Sequence, residues 1–169
     1  MDARSISRKK KEPVEACADE SGTLGTESQF QREAREWVQR GDWHRQKDLT
    51  EEALQSYLKA IAIEPESADA HISLAHIHLE RNEHQRAMEY YCRVIEITMD
   101  ETLPKSKMLN AAAFQGIGRC LFEKGDCEDG VEFMRRAVKL GVDCEWLNGT
   151  TAQATMHLNL GYALANKPG

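Results

Sequence analysis

A pattern of small, aromatic and turn-forming residues recurs at a spacing of 34 positions. Ala34, Trp37, Gly41, His44, Ala53, Tyr57, Ala60, Ile61 and Pro65 are answered 34 residues later by Ala68, His71, Ala75, His78, Ala87, Tyr91, Val94, Ile95 and Met99. Size or polarity matches at most of these places, and Pro65 against Met99 is the clear mismatch. A fixed period of this length marks stacked helix–turn–helix units rather than one closed core. Each unit is too small to bury its own apolar stripe, so neighbours share it. The resulting extended surface suits the holding of another protein.

Periodicity within the units supports the same reading. Leu54, Tyr57, Leu58 and Ile61 recur at helical spacing, as do Met88, Tyr91, Val94 and Ile95. Gly41-Asp42 and Gly125-Asp126 are turn-type pairs expected near the ends of first helices, and Asn82-Glu83 lies between paired helices. Thr50 followed by Glu51-Glu52 predicts a helix start. Pro65 should end a helix, because it lacks an amide and disfavours helical geometry before it. Small Ala53 and Ala87 fit close helix packing. The expected fold class is all-α, a helical-hairpin repeat solenoid of three units plus a terminal helix.

At these residues the chain resembles the tetratricopeptide repeat family. Trp37, Gly41 and His44 supply the aromatic–glycine–aromatic spacing of a first helix, and Ala53, Tyr57, Ala60 and Pro65 supply the second. A third copy follows 43 residues after the second (Ala111, Phe114, Ile117, Gly118, Leu121, Gly130, Met134, Ala137, Val138), and a further step of 43 reaches Ala154, His157, Leu160, Gly161 and Leu164. The units are placed at about 34–67, 68–101 and 111–144, with a partial unit at 154–169, in a repeat domain spanning 29–169. The longer steps require nine extra residues, around Thr102–Asn110 and again around Glu145–Gln153. His44 and His78 stand where the family has tyrosine, and Gly130 where it has alanine.

The resemblance implies an inner face lined by the first helix of each unit. Carried over, that lining takes in Arg35, Val38, Asp42 and Arg45, then Asp69, Ile72, His76 and Leu79, then Ala112, Gln115, Arg119 and Phe122, and finally Thr155, Leu158 and Tyr162. The partner-binding residues expected among them are Arg35, Val38, Ile72, His76, Leu79, Arg119, Phe122, Leu158 and Tyr162. Apolar anchors bordered by arginines suit a short helix or extended peptide carrying a carboxylate. Packing between repeats is the competing role for several of them, since helical spacing alone does not separate core from groove. Cochaperones with this fold grip a terminal carboxylate with lysine and asparagine. Here the matching places hold Val38, Asp42, Ser73, Ala112 and Gly116, so that clamp is missing.

No constellation for catalysis is legible. Ser56, Ser67 and Ser73 lack the glycine-flanked turn of hydrolases, and Gly116-x-Gly118 follows no strand. Five cysteines (Cys17, Cys92, Cys120, Cys127, Cys144), odd in number and without a C-x-x-C pair, suggest reduced thiols rather than disulfides. Cys120 is read as filling space and Cys127 as beginning a helix, because four-ligand zinc spacing is absent. His71, His76 and His78 share one predicted helix, with His71 and His78 on one face, and are read as packing groups. The expectation is therefore no enzyme, no metal and no cofactor.

A net charge of −6 argues against nucleic acid, whose phosphates need a basic face. No run approaches the roughly 18 apolar residues that span a bilayer, and Met1-Asp2-Ala3-Arg4 leads into no apolar segment of a signal peptide. Asn148-Gly149-Thr150 is accordingly read as a bare turn. Residues 1–28, with Arg8-Lys9-Lys10-Lys11 followed by small and acidic residues, have too few apolar groups to offset ordering entropy and are expected to form a disordered tail. The basic run is either solubilising or a nuclear-import signal, and the expected location is the cytoplasm, with the nucleus open.

The stretch Ala152–Ala165 contains no Asp, Glu, Lys or Arg. A repeat array ordinarily ends in a polar cap, so this helix either closes the third unit or stacks end-on against a second copy or another subunit. The expected function is a non-enzymatic adaptor or scaffold binding another protein's peptide or helix. The alternative is a structural subunit stacking within a larger assembly.

Overall fold

The computed structural model describes residues 28–99, 103–142 and 151–166. The tail expected at 1–28 lies, apart from Ser28, outside the described residues, as do Cys17, Cys144, the Asn148 sequon and most of the second insertion. The described chain forms seven helices and no strand: α1 (Gln29–Gln46), α2 (Thr50–Ile63), α3 (Ala68–Glu80), α4 (His84–Thr98), α5 (Pro104–Lys124), α6 (Cys127–Val142) and α7 (Thr151–Ala165). The hairpins α1–α2, α3–α4 and α5–α6 stack in chain order, and α7 closes the end against α6. The chain is an all-α helical repeat solenoid.

The period seen in the sequence is written into the turns. Asp48 and Asn82 both take φ 60°, and Gly125 takes φ 98°. They occupy one register, since 34 residues separate the first two and 43 the next. Asp and Asn tolerate the left-handed region better than other side chains, and glycine enters it freely. After each of these residues the chain turns back identically. The amides of Leu49, Glu83 and Asp126 donate to the carbonyls of His44, His78 and Leu121. These bonds satisfy carbonyls that a helix end leaves open. Helix α1 starts earlier than the repeat pattern, because Ser28 and Gln31 form a reciprocal cap (3.2 and 2.9 Å).

One turn expectation is corrected. Gly41-Asp42 is no turn: it lies inside α1, where Gly41 is buried against the ring of Tyr57. The extra residues placed around Thr102–Asn110 enter a helix. From Pro104 onward they extend α5 to 21 residues, with proline at the helix start where its missing amide costs nothing. Pro65 behaves as expected, with α2 ending at Ile63 and Glu64 extended.

The core is shared between units. Val38, Ala53, Tyr57 and Ala60 pack on Ala70, Leu74 and Ile77 of α3. The other side of α3, through Ile72, Ala75 and Leu79, packs on Ala87, Tyr91 and Val94 of α4 and on Leu109, Ala113, Ile117 and Cys120 of α5. The middle helix is thus buried on two sides, which is why its apolar residues run nearly all round it. Ala53 and Ala87 are fully buried at the helix contacts. Gly118 and Gly130 let α5 and α6 touch backbone to backbone: a Cβ on either would come within 2.8 Å of the other's carbonyl oxygen. Burial pushes the Cys120 thiol up to about 11, so it stays protonated in the core.

Candidate functional site on the inner face

The nine residues expected to bind a partner do not form one strip. Val38, Ile72 and Leu79 are buried at 8%, 8% and 4% exposure inside the two main clusters. Packing between repeats claims them because positions 72, 75 and 79 fall on a single α3 stripe facing α4 and α5. Arg35, with the edge of Val38, borders a polar hollow of about 400 Å³ that Glu64, Ser67, Asp69 and Lys105 also line. Lys105 closes it with an ion pair to Asp69 at 2.5 Å.

Near the middle, His76 lies with its ring edge-on to Tyr91, centroids 5.8 Å apart. Burial, then the charges of Arg45 and Arg119, hold its pKa down at about 4. At neutral pH this part of the inner face therefore presents two guanidiniums and a neutral imidazole.

Arg119, Phe122 and Tyr162 do come together. With Glu123, Met134, Asn159 and Ala163 they line a pocket of about 320 Å³ where α5, α6 and α7 meet. Met134 and Ala163 are buried beneath it, and Phe122 and Leu160 pack against the same small cluster. The Phe122 and Tyr162 rings meet edge to face at 6.4 Å. Arg119 Nε donates to Glu123 Oε1 at 3.1 Å, which leaves most of the fork of guanidinium donors for other acceptors. An apolar floor, an aromatic wall, a guanidinium and an amide are the parts needed to hold an apolar side chain beside a carbonyl or carboxylate. Glu123 and Met134 were absent from the expected partner-binding residues. The signal for Glu123 was present, four residues beyond Arg119 on the same helix face.

Helix α7 docks through Met156, Leu160 and Ala163 and turns Leu158 (71% exposed) and Tyr162 (65% exposed) outward. Leu164 is 45% exposed. It falls off the 156–160–163 stripe, and Ala163 takes the buried place.

Among the described residues no group of three or more His, Cys, Asp or Glu is placed to hold a metal ion. No described helix is long and apolar enough to cross a membrane. Cys92, Cys120 and Cys127 are free thiols.

Helix hairpins stacked in one register, with a left-handed residue at the equivalent place in each corner, define a helical-repeat protein. Residues 41–105 match tetratricopeptide repeat models: a model described as TPR repeat matches residues 41–82, and one described as tetratricopeptide repeat matches residues 70–105. The repeats of this family are generally protein–protein interaction modules. Among solved structures, the N-terminal domain of stress-induced protein-1 (STI-1) from C. elegans superposes with a TM-score of 0.64 at 14% identity, covering 82% of this chain and 99% of that one. That likeness is one of fold. A structure of pilF from Pseudomonas aeruginosa aligns at 18% identity over 84% of this chain and 79% of that one, with a TM-score of 0.36. No curated protein matches the sequence.

Proposed function

We propose that this protein is a non-enzymatic adaptor that holds a peptide or short helix of another protein on its inner face, anchored in the pocket between α5 and α7. The observation that carries this reading is the convergence of Arg119, Phe122 and Tyr162 on one pocket with a buried apolar floor. Arg45 and Arg119 add positive charge along the face, while Asp42 is engaged by the Tyr57 hydroxyl at 2.7 Å. A ligand with an apolar anchor followed by a carboxylate fits this order of groups.

The test is selection of binding peptides from a displayed library on the full chain, followed by titration of the best one. Tyr162→Ala should remove a wall of the pocket and weaken binding about tenfold or more, and Arg119→Glu should reverse the attraction for a carboxylate. Selected peptides that bind both folded variants as tightly as the wild type would overturn the assignment.

The second reading is an end-stacked subunit. It is supported by Leu158, Tyr162 and Leu164, all exposed on a helix with no Asp, Glu, Lys or Arg. Self-association that disappears with Leu158→Glu while peptide binding persists would favour it.

A further inference from the structure

A second cleft lies on the opposite side of the stack, between the second helices of units one and two. It encloses about 610 Å³, and its walls come from α2, α3 and α4. Leu54 and Leu58 form the apolar side, and Tyr90 stacks on His78 at 5.3 Å with the rings 6° from parallel. Arg81, Arg86 and Arg93 line it, and so does Glu89. His71, only 6% exposed, is part of its floor. Its Nε2 donates to the Pro65 carbonyl at 2.9 Å, and its buried Nδ1 has no hydrogen-bond partner in the protein.

We propose that this outer cleft binds an acidic peptide in polyproline II conformation, with two carboxylates on Arg86 and Arg93 and an apolar side chain between them on Leu54, Leu58 and Tyr90. The spacing argues for it. Arg86 and Arg93 are seven residues apart on α4, two turns, or about 10 Å along the axis. A peptide in polyproline II conformation rises about 9 Å in three residues and returns side chain i+3 to the face of side chain i, so acidic residues at positions i and i+3 match the two guanidiniums. Glu89 lies between them on α4 and disfavours a carboxylate in the middle, where Leu54 and Leu58 favour an apolar group.

His71 adds no charge to the floor: burial, with help from Arg93, lowers its pKa, and Nε2 donates to the Pro65 carbonyl. The arginines are available for the exchange. Each holds one rim carboxylate: Glu51 by Arg81 at 2.6 Å, Glu83 by Arg86 at 3.1 Å and Glu96 by Arg93 at 3.0 Å. Such exposed pairs are weak, and one contact leaves most of a guanidinium's donors unused.

The experiment titrates the full chain into a fluorescein-labelled peptide with the core Glu-Leu-Ala-Glu and follows anisotropy at low salt. A control peptide carries Gln-Leu-Ala-Gln. Saturable binding is expected, about tenfold or more weaker for the glutamine peptide. Arg86→Ala and Arg93→Ala should each weaken the glutamate peptide about tenfold. Both side chains are substantially exposed, at 67% and 43%, so circular dichroism should show both variants folded. Arg119→Ala reports any binding of the same peptide in the inner pocket, and a loss of affinity confined to Arg119→Ala would overturn the assignment to this cleft. Equal binding of the two peptides, absence of saturable binding, or full affinity in both Arg86→Ala and Arg93→Ala would overturn the proposal.

Discussion

Tyr57 and Tyr91 occupy the same place in units one and two, 34 residues apart, and both are fully buried. Their hydroxyls meet different fates. Tyr57 donates to Asp42 Oδ1 at 2.7 Å, and Ser73 of the next unit also reaches it. In unit two the place of Asp42 is taken by His76, which meets the Tyr91 ring edge-on, and the place of Ser73 is taken by Gly116, which has no side chain. The Tyr91 hydroxyl is buried with no hydrogen-bond partner. The repeat has kept the aromatic volume that stacks the helices and exchanged the polar groups around it. What the units hold in common maintains the solenoid, and their differences set the charge of the inner face, from a carboxylate in unit one to a neutral imidazole between arginines in unit two.

The largest expected effect breaks the comparison at the ring itself. Tyr57 packs on Gly41 of its own hairpin, where an added Cβ would lie 2.5 Å from Cε1, while Tyr91 packs on Gly116 of the following hairpin, even more closely. Gly41→Ala and Gly116→Ala should each destabilise by about 2–3 kcal/mol through overpacking, after offsetting the helix-propensity gain. The sites should differ in where the damage falls. Hydrogen exchange should speed up in α1 and α2 for Gly41→Ala, and at the α4–α5 contact for Gly116→Ala. Unchanged urea midpoints in both would mean the tyrosines are not the packing pivots.

Acid should separate the units next. The folded-state pKa of His76 is about 4, below the 6.5 of an unperturbed histidine. Between those values the unfolded chain binds more protons, so stability declines as pH falls from about 6.5 to 4. The loss is of order 2 kcal/mol. His71, also held below its ordinary value chiefly by burial, adds a loss of the same sign. His76→Gln should therefore remove part of the acid sensitivity and leave the His71 share. Urea midpoints at pH 7 and pH 5 decide it, and identical pH dependence in variant and wild type would sink the assignment.

Removing the two hydroxyls should have opposite signs. Tyr57→Phe loses a bond to a charged acceptor and should cost about 1 kcal/mol, because the exposed Asp42 regains water. Tyr91→Phe removes a buried polar group without a partner and should be neutral or stabilising by up to about 1 kcal/mol. Equal losses in the two variants would show that Tyr91 finds a partner in solution.

The contrast between packing and polar groups also explains what was legible in the sequence. Repeat period, helix number, the end of α2 at Pro65 and the buried Ala53 and Ala87 all follow from residue size and spacing, which one sequence displays directly. Two things did not follow. The spacing that put Val38, Ile72 and Leu79 on an inner strip does not say which side of α3 meets a neighbour, and α3 has neighbours on two sides. Asp48, the turn residue of unit one, was overshadowed by Gly41-Asp42, although its match to Asn82 at the repeat distance was there to be read. Of the inner pocket, Arg119, Phe122 and Tyr162 were identified, while Met134 and Ala163 required the packing of α7 on α6.

The smallest effect on stability, and the one that sharpens the contrast at the far end of the stack, is expected at Leu158. Units one to three bury their core between hairpins and leave only scattered large apolar residues such as Trp43 exposed, whereas α7 leaves Leu158 71% and Tyr162 65% exposed, one turn apart on a helix without Asp, Glu, Lys or Arg. Leu158→Glu removes no buried contact, so its urea midpoint should stay within about 0.5 kcal/mol of the wild type. If α7 is an association surface, covering such side chains contributes about 25 cal/mol per Å² of apolar area before the costs of association. A carboxylate placed at the centre of that patch would be stranded on pairing. Sedimentation at rising concentration should then show a larger monomer fraction for Leu158→Glu. Leu160 makes a poorer probe, because it packs on the cluster beneath α7 and its loss would loosen the helix itself. A wild-type chain that stays monomeric throughout would leave α7 as a closing helix whose Tyr162 serves the inner pocket alone.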